Sequence, residues 1–239
     1  MVEDAVAVAV QPASNAATAD LEAAWDVCAD LFCTLPRPLA PAPQDLEDEL
    51  LFCLLGGYGV TFEHGRSACQ RLAQLRPFTS RLNDQALEQQ LRAELDKPQF
   101  EPRRRNGSLR RYRYPARKAE LVVRARTWLR PRPRLLSELT SLLSEQDRRR
   151  VLCGCPGIGE KTASWLLRNL GLAHELAIVD IHLVRALREA GRIGSISLPR
   201  DYDLVEAAFI DWCRDIGAPP AAFDLFVWEW QRGSLFPER

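Results

Sequence analysis

Apolar residues recur at three- and four-residue steps along most of the chain, a spacing that predicts amphipathic α-helices. The first helix should begin at Asp20, carry Leu21, Trp25 and Phe32 on one face, and end before the proline-rich stretch 35–43. The same spacing predicts further helices at about 46–55, 62–75, 84–95, 116–129, 134–143, 145–153, 160–170, 181–191, 201–216 and 219–231. No run alternates apolar and polar residues as a half-buried strand would. We therefore predict an all-α fold.

The composition is typical of a globular protein with a substantial core, since 46% of the 239 residues are hydrophobic. No apolar run approaches the roughly 20 residues that span a bilayer, and the N-terminus has acidic residues where a secretory signal would be basic. We expect a monomeric, cytosolic protein with no membrane partner, associated with the nucleoid if its source is prokaryotic.

The seven cysteines form neither an even set for disulfides nor a pair of CxxC arms for zinc. The closest pair, Cys153 and Cys155, has one intervening residue, which is too few for the usual zinc arm. We therefore expect reduced, mostly buried thiols and no metal site.

The net charge of zero conceals a strong asymmetry along the chain. Residues 1–50 contain ten acidic side chains and one basic side chain, whereas residues 101–150 contain sixteen basic and five acidic side chains. A local excess of this size suits a polyanion. The segment 103–134, which begins with Arg103, Arg104 and Arg105, is therefore predicted to bind phosphates; a solvated arginine-rich face is the alternative.

The stretch 151–171 predicts two helices joined by a Pro-Gly-Ile-Gly turn. Gly157 and Gly159 permit positive φ and close backbone approach, so the N–H groups that open the second helix could bind a phosphate. Ile158, which lies between the two glycines, is predicted to contact DNA with them. A tight connection with no ligand is the alternative for the turn alone.

Lys161 follows this turn and lies off the apolar stripe of its helix. A cation near a helix N-terminus opposes the helix dipole, so stability does not explain it. The chain has 32 lysines and arginines, and only Lys97, Lys118 and Lys161 are lysines. Because a lysine amine can form a Schiff base and an arginine cannot, we predict that Lys161 is a nucleophile.

Asp180 follows the apolar run 177–179 and precedes a predicted helix. Its position predicts an N-cap that holds the carboxylate rigidly. A carboxylate beside Lys161 could also stabilise positive charge that develops on a deoxyribose. The cap and the catalytic role are compatible.

The segments GIGEKTASWLLRNLG and AIVDIHLVR together resemble the helix-hairpin-helix glycosylase superfamily, and within it the archaeal-type 8-oxoguanine DNA glycosylase/AP lyases. The upstream segments ELLFCLLGG and RYRYPARKAELVVRAR extend the resemblance to roughly residues 45–190. In that family the hairpin lysine and the aspartate of a VDxH motif are the catalytic pair, and they match Lys161 and Asp180.

The resemblance also implies roles for four further residues. His182, the histidine of VDxH, would contact a phosphate near the flipped nucleotide, and Trp165 would lie beside the base pocket, where its ring could stack on an extruded base. Asp224 and Trp228, spaced i and i+4 on the C-terminal helix, would help to close the pocket. Ordinary surface or core positions are the alternatives for all four.

Two family features have no clear match. The side chain that fills the gap left by a flipped base should follow the helix end near Gly56, where Tyr58 is the one candidate, and the wedge stays unassigned. The related endonuclease III branch has four C-terminal cysteines for an iron–sulfur cluster, but only Cys213 follows Cys155 here. We expect no cofactor beyond a monovalent cation at the hairpin.

The resemblance implies two helical subdomains flanking a DNA-binding cleft. We predict a disordered tail at 1–18, a six-helix barrel at 45–173 that ends in the helix-hairpin-helix at about 145–170, and a second subdomain formed by 19–44 with 174–239.

The expected function is excision of an oxidised purine from double-stranded DNA through a Lys161 Schiff base, followed by β-elimination. Two alternatives stay open. One is an endonuclease III-like glycosylase/lyase for damaged pyrimidines, and the other is a non-catalytic DNA-binding module that uses the hairpin only to contact phosphate.

Overall fold

The computed structural model describes residues 16–34, 41–57 and 59–233, and the side chains of 16–18 are not described. All regular elements among the described residues are α-helices. The only β-type pairing in this part of the chain is an isolated antiparallel bridge between Phe100 and Arg110. The all-α prediction is therefore confirmed. The helices are α1 (Ala16–Cys33), α2 (Pro43–Leu55), α3 (Phe62–Ala73), α4 (Asp84–Asp96), α5 (Pro115–Leu129), α6 (Leu135–Ser141), α7 (Glu145–Cys153), α8 (Glu160–Asn169), α9 (Ile181–Glu189), α10 (Tyr202–Asp215) and α11 (Pro220–Gln231).

Two helices begin earlier than predicted. Residues 16–18 belong to α1, so that part of the predicted disordered tail is wrong, and residues 1–15 lie outside the described part of the chain. Residues 16 and 17 are alanines, and alanine has the highest helix propensity of any residue type. An apolar stripe does not reflect this propensity. Helix α2 begins at Pro43, because proline is favoured in a first turn where its missing N–H is not needed.

The chain divides into two compact units, one formed by 38–173 and the other by 1–37 with 174–239. The first unit contains seven helices, α2–α8, because the short α6 and both hairpin helices lie inside it; the predicted barrel had six. Residues 41–44, predicted with the second subdomain, group with this unit, in which α2 begins at Pro43.

The core of the unit 38–173 is aliphatic. In α4, Asn83 caps the first turn by accepting from the Ala86 N–H at 2.8 Å, and Leu87, Leu91 and Leu95 at four-residue steps are fully buried. Helix α4 packs on α5, and α2 packs on α3, α5 and α8. The hairpin therefore rests on α2.

The core of the other unit is aromatic. The ring of Trp25 in α1 lies edge-on to Phe223 and Phe226 of α11, with centroids 5.2 and 5.4 Å away. Phe209 of α10 stacks on Phe223 at 5.7 Å. Helices α9 and α10 complete this cluster, which positions the residues that precede α9.

No helix in the described ranges is both long enough and apolar enough to cross a membrane.

Candidate active site

The turn between α7 and α8 contains one glycine that the fold requires. Gly157 has φ +88°, and a β-carbon there would lie 3.1 Å from the side chains of Leu54 and Leu121. Ile158 is buried, and its N–H donates to the Cys155 carbonyl at 3.0 Å. That N–H is therefore bonded within the turn, and the contact of Ile158 with DNA stays a prediction.

Gly159 differs from its prediction. Its φ is −99° and its ψ is 179°, so the backbone is extended and positive φ is not the reason for glycine here. A β-carbon at Gly159 would meet no atom within 4 Å, and no side chain caps α8. The exposed turn and the uncapped first-turn N–H groups of α8 leave room for close approach of an anion.

Lys161 is the second residue of α8 and is half-buried. Within the described residues its amine has no hydrogen bond and no ion pair. The predicted stripe of Ala163, Leu166 and Leu167 is fully buried, and Lys161 lies off it. The other two lysines are engaged, because Lys97 pairs with Glu94 and Lys118 donates to backbone carbonyls.

Trp165, one turn beyond Lys161, is half-buried against the end of α2. The ring of Phe52 lies edge-on to it at 5.0 Å, and a β-carbon on Gly56 would lie 3.2 Å from Cζ3 of Trp165. Only glycine at 56 lets the two elements approach this closely without a shift. The position of the Trp165 ring thus depends on where α2 ends.

The end of α2 is held by side chains of the segment 112–118, which sequence reasoning did not assign to the site. The Lys118 amine donates to the Leu54 carbonyl at 2.5 Å and to the Gly56 carbonyl at 2.6 Å. The Tyr112 hydroxyl donates to the Leu55 carbonyl between them. Burial, with a smaller effect of the Arg117 charge, lowers the pKa of Lys118 to about 8. The rarity of lysine in this sequence points to Lys118 as much as to Lys161, but only Lys161 was predicted to be functional.

Asp180 lies in the unit 1–37 with 174–239, whereas Lys161 lies in the other unit. The predicted N-cap is confirmed, since Oδ1 of Asp180 accepts from the N–H groups of His182 and Leu183 at 2.8 and 3.0 Å. These bonds fix the carboxylate at the start of α9.

The run 177–179 before Asp180 is held by side chains of α10 and α11. The N–H of Ile178 donates to Oδ2 of Asp224 at 2.7 Å, and the N–H of Ala177 donates to Oε1 of Glu206 at 3.0 Å. The Tyr202 hydroxyl donates to the Ala177 carbonyl at 3.0 Å. Side chains therefore bond to both the N–H and the carbonyl of Ala177 and to the N–H of Ile178, which holds the backbone that leads into Asp180 in place.

Asp224 is 5% exposed, so the alternative of a solvated aspartate is wrong. Its bond to Ile178 gives it a structural contact in addition to any contact with a base. Trp228 is half-buried, and the Arg232 guanidinium lies 4.2 Å from the centre of its ring. His182 is half-buried, and its Nδ1 is buried with no hydrogen-bond partner in the described part of the chain.

The basic segment 103–134 contains two classes of side chain. Arg103 donates to the Gly107 carbonyl at 2.8 Å and pairs with Glu101, and Arg113 donates to the Gly59 carbonyl at 3.0 Å, so both stabilise loops. Five others are exposed and have no hydrogen bond or ion pair within the described residues. These are Arg104, Arg105, Arg111, Arg117 and Arg134.

All seven cysteines are free thiols, of which Cys53, Cys155 and Cys213 are buried and Cys33 is exposed. The expectation that most are buried is therefore wrong. The described residues contain no cluster of three or more His, Cys, Asp or Glu side chains that could hold a metal ion. The wedge candidate Tyr58 lies outside the described residues.

The chain is similar to curated proteins over about half of its length. An 8-oxoguanine DNA glycosylase/AP lyase of Thermotoga petrophila is 32% identical over 130 residues, which are 52% of this chain and 59% of that protein. A protein of the same name from Metallosphaera sedula is 30% identical over 126 residues, which are 52% of this chain and 60% of that protein. The match thus spans about three fifths of the length of these curated relatives.

The fold is shared with solved structures. The crystal structure of the 8-oxoguanine DNA glycosylase of Methanocaldococcus jannaschii has a TM-score of 0.67 at 23% identity, covering 91% of this chain and 94% of that one. That of Thermotoga maritima has a TM-score of 0.65 at 25% identity, covering 91% and 96%. The family model described as 8-oxoguanine DNA glycosylase, with a helix-hairpin-helix, matches residues 40–218. Because this match covers well over half of the sequence, the chain belongs to the 8-oxoguanine DNA glycosylase family.

Proposed function

We propose that the protein is a bifunctional DNA glycosylase and AP lyase that removes 8-oxoguanine from double-stranded DNA. The observation that carries the proposal is the amine of Lys161. It lies in the first turn of α8, beside the exposed Gly159, without a hydrogen bond or ion pair from the described residues, in a chain whose other two lysines are engaged. The names of the relatives at 30% to 32% identity support the substrate.

In the proposed reaction the neutral amine of Lys161 attacks C1′ of the flipped nucleotide. The bond from C1′ to N9 breaks, and the base leaves with the electron pair and takes up a proton. The amine loses its protons as the sugar ring opens, which gives a Schiff base between Nζ and C1′. Loss of a proton from C2′ then expels the 3′ phosphate, and water hydrolyses the imine to release the enzyme.

The other candidate residues have supporting roles in this proposal. The carboxylate of Asp180 stabilises the positive charge on the deoxyribose as the base departs. The turn at Gly157 and Gly159 binds a backbone phosphate, and His182 binds one near the flipped nucleotide. A monovalent cation at the hairpin would be held by backbone carbonyl oxygens of the turn, and no step depends on it.

The base pocket is proposed to include Trp165, Asp224 and Trp228. An aromatic ring supplies a face on which an extruded purine can stack, and a carboxylate oxygen can accept from the N–H groups of a purine edge.

Borohydride trapping tests the proposal directly. Wild-type protein, Lys161→Gln and the matched control Lys97→Gln are incubated with duplexes that contain 8-oxoguanine, a damaged pyrimidine or an abasic site. We expect a covalent adduct on the 8-oxoguanine duplex for wild type and Lys97→Gln, and none for Lys161→Gln. An adduct with wild type on the damaged-pyrimidine duplex but not on the 8-oxoguanine duplex would move the substrate to the endonuclease III type, and no adduct on any duplex would overturn the lyase.

A further inference from the structure

The three carbonyls at the end of α2 all accept hydrogen bonds from side chains of one segment. Lys118 bonds to the carbonyls of Leu54 and Gly56, and Tyr112 bonds to that of Leu55. The last carbonyls of a helix have no partner inside the helix, and here they are satisfied by an amine and a hydroxyl that are themselves largely buried. We call Tyr112 and Lys118 the α2 clamp.

Gly56 connects the α2 clamp to Trp165. The N–H of Gly56 donates to the Phe52 carbonyl at 2.9 Å, and the carbonyl of the same glycine accepts from Lys118. Gly56 lies directly against the Trp165 ring, and Phe52 contacts that ring edge-on. Movement of the α2 end would therefore move the surface on which Trp165 rests.

We propose that Lys118 is a positioning residue that fixes the Trp165 wall of the base pocket by holding Gly56 against it. The inference rests on the proposed function, in which Trp165 lines the base pocket. It assigns the second of the rare lysines a task that needs two donors on one flexible stem, directed at two carbonyls of the same chain end. Its task differs from that of Lys161, since the amine of Lys118 is bonded to two backbone carbonyls.

Loss of the clamp should affect substrates that carry a base and spare those that do not. An abasic site has no base to stack on Trp165, so its cleavage depends on Lys161 and the phosphate contacts alone. Excision of 8-oxoguanine needs the base to be seated before Lys161 can attack. Misplacement of a positioning group by about 1 Å can reduce a rate by up to about 100-fold.

Single-turnover rates of wild type and Lys118→Gln on two duplexes test this inference, one with 8-oxoguanine and one with a preformed abasic site. We expect Lys118→Gln to excise 8-oxoguanine at least about tenfold more slowly, and to cleave the abasic duplex at nearly the wild-type rate. Lys118→Arg keeps the charge and several donors and should recover part of the loss. Lys97→Gln, which removes an exposed lysine charge, should leave both rates unchanged.

Tyr112→Phe gives an independent test if Lys118→Gln does not fold. It removes the donor to Leu55 without changing charge and should show the same pattern with a smaller loss. Equal losses on both duplexes, or no loss on either, would overturn the positioning role while leaving the proposed function intact. A wild-type protein that is inert towards 8-oxoguanine would overturn the proposed function first, and the inference with it.

Discussion

At the scale of single residues, the three lysines show what rarity of a residue type can and cannot indicate. Lys161 was predicted to be functional because arginine serves elsewhere, and its unbonded amine fits that prediction. Lys118 meets the same criterion but donates to two carbonyls. Rarity alone therefore does not identify a nucleophile, since Lys97 is an exposed partner of Glu94 and Lys118 is a hydrogen-bond donor; the surroundings of each amine distinguish the three.

The two roles of Asp180 can be separated by substitution. Asparagine caps helices as well as aspartate does, so Asp180→Asn should change the free energy of unfolding by less than about 0.5 kcal/mol, whereas Asp180→Ala should lose about 1 kcal/mol. Neither variant carries the negative charge, so both should excise 8-oxoguanine about 100-fold more slowly or worse. Urea denaturation and single-turnover excision measure the two effects. Wild-type excision by Asp180→Asn would show that the residue is a cap alone.

Sequence reasoning identified Asp180 correctly as a cap because capping depends on local spacing. It could not place Asp224 against Ile178, since these residues are far apart in the sequence and the pairing follows from how α11 packs on α9. The same limit applies to the α2 clamp, whose donors and acceptors are more than fifty residues apart.

At the scale of elements, the two glycines of the hairpin turn are needed for different reasons. Gly157 is required by the fold, because its φ is positive and leucine side chains approach it. Gly159 has ordinary backbone angles and open space around it, so its lack of a side chain matters for what approaches from outside.

Alanine at Gly157 should mainly reduce stability, whereas alanine at Gly159 should mainly weaken DNA binding. Gly157→Ala should cost about 1–3 kcal/mol of stability from left-handed backbone and crowding. Gly159→Ala should cost less than about 1 kcal/mol, through the weaker capping of alanine. It should nonetheless weaken duplex binding about tenfold, because its β-carbon would stand where a phosphate approaches. Thermal unfolding and fluorescence anisotropy with a labelled duplex measure the two effects, and unchanged binding by Gly159→Ala would remove the turn from the DNA interface.

Helix bounds were predicted to within a few residues, because caps, prolines and apolar stripes are local signals. Loop structure was not. The segment 103–134 was predicted to bind phosphates or to face solvent, whereas Arg103 and Arg110 donate to the carbonyls of Gly107 and Pro102 in their own loop. Arginine side chains that bind the backbone are indistinguishable in sequence from those that face solvent.

At the scale of the whole molecule, the basic side chains of residues 101–150 fall into two groups. Some bond to the backbone and stabilise the fold, and others are exposed on the surface. Arg126, for instance, is buried and donates to the carbonyls of Ser80 and Leu82. The charge available to a polyanion is therefore smaller than the composition indicates, and it is concentrated on the exposed arginines without partners.

Three of these exposed arginines, Arg104, Arg105 and Arg111, should account for part of the salt dependence of DNA binding. Replacing all three by glutamine should reduce the slope of log K against log salt by up to about 0.9 for each lost phosphate contact, with base preference unchanged. The control removes three exposed arginines outside the segment 103–134 that already have carboxylate partners, Arg71, Arg92 and Arg214. If both triple variants shift the slope equally, the effect is one of net charge and not of specific contacts.

The aromatic packing of α1 on α11 has a consequence for synthesis of the protein. Trp25 is synthesised before the unit 38–173, and its partners Phe223 and Phe226 are synthesised only after the whole of that unit. Until α11 is made, Trp25 lacks these two partners, and contacts between distant parts of a chain form slowly. The unit that carries Asp180 can therefore complete its aromatic core only after the whole of the unit that carries Lys161 has been synthesised.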